Sequence, residues 1–219
     1  METRLQLDQQ LKELYQQILK MGALVEEGLR KSVEALRSND ETLAKAVIDE
    51  DQKIDALHVS IEDMSTQIIA MEQPVATDLR ELITANKIVG DLERIGDHAR
   101  HIARRVGKLP DDLLARALPS IESMAGVGIG MVHDSITAYV EQDESKAREV
   151  AELDDQIDAA HKALYKTLVT SMQERSDWIE YGVELMFLNR YMERLGDHVT
   201  NICEWVIFAK SGQHVELNK

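Results

Sequence analysis

Glu93-Arg94-Ile95-Gly96-Asp97-His98 returns one hundred positions later as Glu193-Arg194-Leu195-Gly196-Asp197-His198, and Ile102 and Ile202 follow the two copies at the same distance. Glycine inside a helix costs about 1 kcal/mol relative to alanine, so a Gly-Asp-His placed twice at one register marks a duplicated unit rather than chance. The duplication extends outward. Asn39-Asp40-Glu41 with Val47, Asp51, Ile54-Asp55-Ala56 and His58 is mirrored by Gln142-Asp143-Glu144 with Val150, Asp154, Ile157-Asp158-Ala159 and His161. This second match has an offset of 103, so the later copy is three residues shorter before its last helix. A fixed internal period decides architecture before single residues are weighed.

Apolar residues recur at spacings of three and four throughout, the period of helices packed on one face. The spacing predicts helices over about 5–36, 41–71, 76–106, 111–140, 143–171 and 177–210. Their breaks fall at Ser38-Asn39-Asp40, Pro74, Gly107 to Pro110 and Gly212, residues that stop or cap helices. Beyond Gly212 the chain reads as frayed. The fold class is therefore all-α: two tandem antiparallel three-helix bundles, six helices with an internal pseudo-repeat, the units being 1–109 and 110–219.

With 25 basic and 40 acidic residues the net charge is −15. Such a chain repels nucleic acid and anionic lipid, so neither is expected as a direct partner. No run approaches 18 apolar residues, so no direct membrane insertion is expected. The single Cys203 fits a reducing cytoplasm. No P-loop, dinucleotide fingerprint or nucleophile elbow is present, and the reading is of a non-enzymatic protein. Trp178, Trp205 and the methionines read as core or interface.

Acidic residues stand four apart at matched positions: Asp51/Asp55 and Glu93/Asp97 in the first repeat, Asp154/Asp158 and Glu193/Asp197 in the second. On a helix each pair shares a face and repels. At about 100° per residue, Glu93 and Asp97 lie off the apolar stripe of Leu82, Ala85, Val89, Leu92 and Gly96, on a shoulder near solvent. Asp51 and Asp55 flank their own stripe in the same way. One reading is a metal site per repeat, whose hard oxygen donors suit Mg, Ca, Mn or iron better than zinc or copper. The other is a solvated face paired with Arg94, Arg100 or Arg104. His58 and His161 share the carboxylate face and are candidate ligands, whereas His98 and His198 point away and read as packing or interface residues. Gly96 and Gly196 suit close helix approach. Arg94 and Arg194 project away from the shoulder, open to acids of a neighbouring helix or to a partner protein.

Two three-helix units, each ending in (Leu/Met)-Glu-Arg-(Ile/Leu)-Gly-Asp-His, resemble the PhoU family of bacterial phosphate-transport accessory proteins, as does the Gln73-Pro74-Val75-Ala76-Thr77-Asp78-Leu79-Arg80 entry to the third helix. The second entry, Glu174-Arg175-Ser176-Asp177, departs from that pattern. The resemblance implies surface metal bound at the four carboxylate pairs, with iron, Mn, Mg and Zn as candidate ions. It further implies a cytoplasmic homodimer, held peripherally at the inner membrane only through its partners. Those partners would be the ATPase subunit of a phosphate ABC transporter and a membrane sensor histidine kinase. The implied function is negative regulation of the phosphate-starvation response and modulation of phosphate uptake. The competing expectation is a ferritin-like di-metal oxidase or metal-storage bundle, which draws Glu-x-x-His ligands into a bundle core. Asp55/His58 and Asp158/His161 are the nearest approach to that motif here.

Overall fold

A computed structural model of the chain describes residues 2–217. Among them are seven α-helices and no strand: α1 Glu2–Ser38, α2 Glu41–Glu72, α3 Thr77–Ala103, α4 Asp111–Glu141, α5 Glu144–Glu152, α6 Asp154–Glu174 and α7 Ile179–Ser211, the last preceded by a 3-10 turn at Ser176–Trp178. The helix expected over 143–171 is broken once. At Leu153 the amide turns back to the carbonyls of Val150 and Ala151, tightening one turn between α5 and α6. The helix expected to reach residue 106 ends at Ala103, and helix four continues through Pro119.

The breaks follow local chemistry. Asp40 caps α2 by accepting from the amides of Thr42 and Leu43, which satisfies donors a helix start leaves open. Asn39, in the left-handed region at φ 55°, accepts from the amide of Gly107 at 2.9 Å. The end of α3 is thereby fastened to the α1–α2 turn. Gly107 itself sits at φ +76°, where a Cβ would lie 2.6 Å from the Glu41 carboxylate.

Leu7, Leu11, Leu14, Ile18, Met21, Val25 and Leu29 of α1 are buried at helical spacing and join one apolar core shared with every other α-helix. Around that core, α1 and α3 of the first half pack on α4 and α7 of the second, while α2 lies outside α1 and α3 and α5–α6 lie outside α4 and α7. Helices α3 and α7 run antiparallel. The guanidinium of Arg80 donates to the Ala209 carbonyl at one end, and Arg105 pairs with Glu184 at 2.5 Å at the other. Glu81, buried against the α1–α4 seam, accepts from the Tyr15 hydroxyl at 2.8 Å. The last described residues are not frayed: the Leu217 amide donates to Glu204 at 2.7 Å, and His214 stacks on Phe208. Among the described residues no helix is long and apolar enough to cross a membrane.

Candidate metal centre

The two outer seams, α2 with α3 and α6 with α7, carry all eight carboxylates singled out by spacing. In the first, Asp51 is 5 % exposed, a core-facing position rather than a shoulder. Its helix register places it between Val47 and Ile54, both buried, and α3 approaches closely there because Gly96 has no side chain. A Cβ on Gly96 would stand 3.0 Å from Ile54 and 3.6 Å from the Asp51 carboxylate. Burial raises the Asp51 carboxyl above its ordinary pKa, and the Arg100 guanidinium beside it pulls in the opposite direction. Arg100 donates from one terminal nitrogen to Asp51 and from the other to Asp97. Arg94 turns back onto Glu93 at 3.5 Å and Asp97 at 3.7 Å instead of projecting away from them. The ion-pair reading therefore describes the first seam, through Arg100 and Arg94. Asp55 remains exposed.

The second seam has the same acids and a different electrostatic outcome. Position 200, matching Arg100, is a threonine that is 1 % exposed, too short to bridge carboxylates. Asp154, Asp158, Glu193 and Asp197 line an open pocket of about 360 Å³ together with Arg148, Ala151, Glu152, Asp155 and Leu217. Among the described residues the Asp154 and Asp197 carboxylates have neither an ion pair nor a hydrogen bond, while Asp158 takes Lys162 at 2.8 Å and Glu193 takes Arg190 through one oxygen. The other Glu193 oxygen is buried without a partner. Burial first, and then Asp197, Asp158 and Glu193, push the Asp154 carboxyl up to about 6. Burial and Asp197 likewise raise Glu193. Asp154 lies directly over the gap that Gly196 leaves: a Cβ there would be 1.9 Å from its oxygen.

The donor set of the second seam fits a hard cation. All its oxygens are carboxylate, two of the groups lack any counter-cation, and each ionised carboxylate penalises the next. As the side chains stand, no three His, Cys, Asp or Glu groups among the described residues close around one point, so holding an ion requires rotamer changes within the pocket. The first seam fits poorly, since its two inner carboxylates already accept from a guanidinium.

The histidines divide. His58 lies 3.4 Å from Glu62, and His161 contacts the Asn189 carbonyl at 3.3 Å, at the edge of their seams. His98 and His198 meet between α3 and α7 with ring centres 5.6 Å apart. His198 Nδ1 is 2.8 Å from Asp91, whereas His98 stacks on Tyr191 with both ring nitrogens buried and unpartnered. Burial, with His198 and Arg194 nearby, lowers its pKa to about 3. The Asp91/Tyr191 difference and the approach of Leu217 to the second pocket are features that periodicity does not reveal. Arg194 is exposed and forms no ion pair among the described residues.

A three-helix unit used twice, with an acidic seam between two helices in each use, defines a class of all-α repeat bundles. Comparison with known proteins gives the class a family. The PhoU domain model matches twice, at residues 18–106 and 121–206, and the chain belongs to the PhoU family. The phosphate-specific transport system accessory protein PhoU homolog of Clostridium acetobutylicum is 37% identical over 99% of both chains. The PhoU protein of Escherichia coli K12 is 33% identical over 95% of this chain and 86% of its own. Solved PhoU structures agree in fold: that from Pseudomonas aeruginosa has a TM-score of 0.86 at 33% identity, covering 94% of this chain and 99% of its own. That from Streptococcus pneumoniae has a TM-score of 0.89 at 32% identity, covering 96% and 99%.

Proposed function

We propose that this chain is a cytoplasmic accessory protein of a phosphate transport system, and that it moderates phosphate uptake and represses the phosphate-starvation response. The supporting observation is similarity along nearly the whole chain to proteins named for that role. In this reading it acts as an adaptor between the ATPase subunit of a phosphate ABC transporter and a membrane sensor histidine kinase, as a homodimer. Metal at the carboxylate seam, with iron, Mn, Mg or Zn as candidate ions, would neutralise acids that otherwise repel one another and so fix the relation of α6 to α7. Coupling of transporter state to kinase state needs a difference in affinity for two partner states, and the unpaired Arg194 on the exposed side of α7 is available for such a contact.

Deleting the chain in its own host tests the reading. Starvation genes should stay on in abundant phosphate, and the chain should co-purify with transporter and kinase to different extents at high and low phosphate. Normal repression in the deletion strain would overturn the assignment. The oxidase or storage alternative gains nothing from the geometry. Its ligands belong inside a four-helix core, and here that core is apolar, with the acids on the outer seams.

A further inference from the structure

The two seams hold the same acids in the same places, yet only in the first does a cation bridge the two inner acids. Asp51 and Asp97 come from two helices, and they correspond to Asp154 and Asp197. A metal bridging α2 and α3 would need both as ligands. Arg100 reaches between them and gives each a charge-assisted hydrogen bond, the strong kind in which both partners are ionised. Asp51 is buried, and the Arg100 and Asp97 side chains are only 24 % and 17 % exposed. An incoming ion would therefore have to expel a guanidinium from a largely dry position and leave it without acceptors.

None of this holds in the second repeat. The Thr200 hydroxyl has no hydrogen-bond partner, and among the described residues Asp154 and Asp197 are unpaired. One oxygen of Glu193 is buried with nothing to accept from. The backbone takes part as well. In the first repeat the space above Gly96 is filled chiefly by Ile54, whereas above Gly196 it is filled by Asp154 itself. The glycine of the second repeat thus makes room for a carboxylate, that of the first for an apolar side chain.

We propose that Arg100 is a resident cation that takes the place of metal in the first repeat, so that metal binding by this chain is confined to the second. This rests on the metal-binding reading above, which the same experiment tests separately. The family resemblance gives equivalent sites to both repeats; this chain's own residues do not.

Mn²⁺ alone serves as the probe, titrated into the full-length protein after chelator treatment. In the wild-type protein, paramagnetic broadening of amide signals should appear around Asp154 and Gly196 and spare those around Asp51 and Gly96. Bound Mn²⁺ per chain should be lost in Asp154→Asn/Asp197→Asn, and should double in Arg100→Thr, which copies the second repeat's residue into the first. Equal broadening of both repeats overturns the proposal. So does a folded Arg100→Thr protein with unchanged Mn²⁺ content. If Arg100→Thr fails to fold, the wild-type broadening pattern decides alone. Absence of broadening anywhere overturns the metal reading itself, and this inference with it.

Discussion

The α2–α3 seam and the α6–α7 seam begin from matched acids and end as different objects. In the first, the charge repulsion of Asp51 and Asp97 is settled inside the protein by Arg100. In the second it is left standing, and burial together with the neighbouring acids pushes the Asp154 carboxyl up to about 6. A repeat can thus keep its acidic positions and change their chemistry through one residue on a neighbouring turn. The first seam resembles a structural ion pair and the second a stored electrostatic cost that a ligand can relieve.

The largest expected effect breaks the first seam. Arg100→Leu leaves the buried Asp51 without its cation, and removing one partner of such a pair costs about 3 to 4 kcal/mol. Thermal melts in chelator should register it as a fall of roughly 6–16 °C. Thr200→Val at the matching position removes only a buried hydroxyl that has no partner and should be neutral or slightly stabilising. Equal losses for the two variants would mean the seams do not differ in the way described.

Next comes Asp154→Asn in metal-free protein. Its folded pKa, about 6, lies above the ordinary 3.8, so the native state holds an extra proton between these values. The cost of ionised Asp154 is absent below about pH 4, grows as pH rises, and is complete above pH 6. A rise from 3.8 to about 6 sets a ceiling of about 3 kcal/mol, which solvent in the open pocket trims to about 2 kcal/mol. The variant should therefore melt higher than wild type at pH 7.5 and no higher at pH 4. A gain independent of pH would place its cause outside this carboxyl.

The α3–α7 interface carries a third difference, His198 on Asp91 against His98 on Tyr191. With its folded pKa lowered to about 3, His98 stays neutral in the native state while the unfolded chain takes up its proton near pH 6.5. The stability it supports is complete above that value and is lost as pH falls. Between pH 7.5 and 5.5 the loss is about 1.4 kcal/mol. His98→Phe keeps the stacking and should remove that part of the acid sensitivity in parallel denaturant titrations. An unchanged pH slope would show that His98 titrates normally.

The smallest effects come from the glycines. Gly196→Ala pushes Asp154 off α7 and should weaken Mn²⁺ binding about tenfold, with apo stability shifted by less than about 1 kcal/mol because helix propensity compensates. Gly96→Ala meets Ile54 and should leave Mn²⁺ affinity unchanged. Equal effects on affinity would restore the equivalence of the seams.

The helices, their breaks other than the one at Leu153, and the duplication could be read in the sequence because they depend on residues three, four or one hundred positions apart along one chain. So could the eight acids, whose spacing is itself a local property, and the family resemblance carried by the repeated Gly-Asp-His segment. What the sequence left open was which of two readings each acidic seam obeys. Arg100 was one of three arginines within reach on paper, and only the approach of α2 to α3 at Gly96 brings it between Asp51 and Asp97. The burial of Asp51, the return of Arg94 to its own helix's acids, the tightened turn at Leu153 and the fold-back of Leu217 were likewise set by neighbouring helices. Periodicity specifies which face a side chain occupies. Whether a charge on that face meets a cation, a carboxylate or water depends on the helix across the seam, and that is decided only when the helices pack.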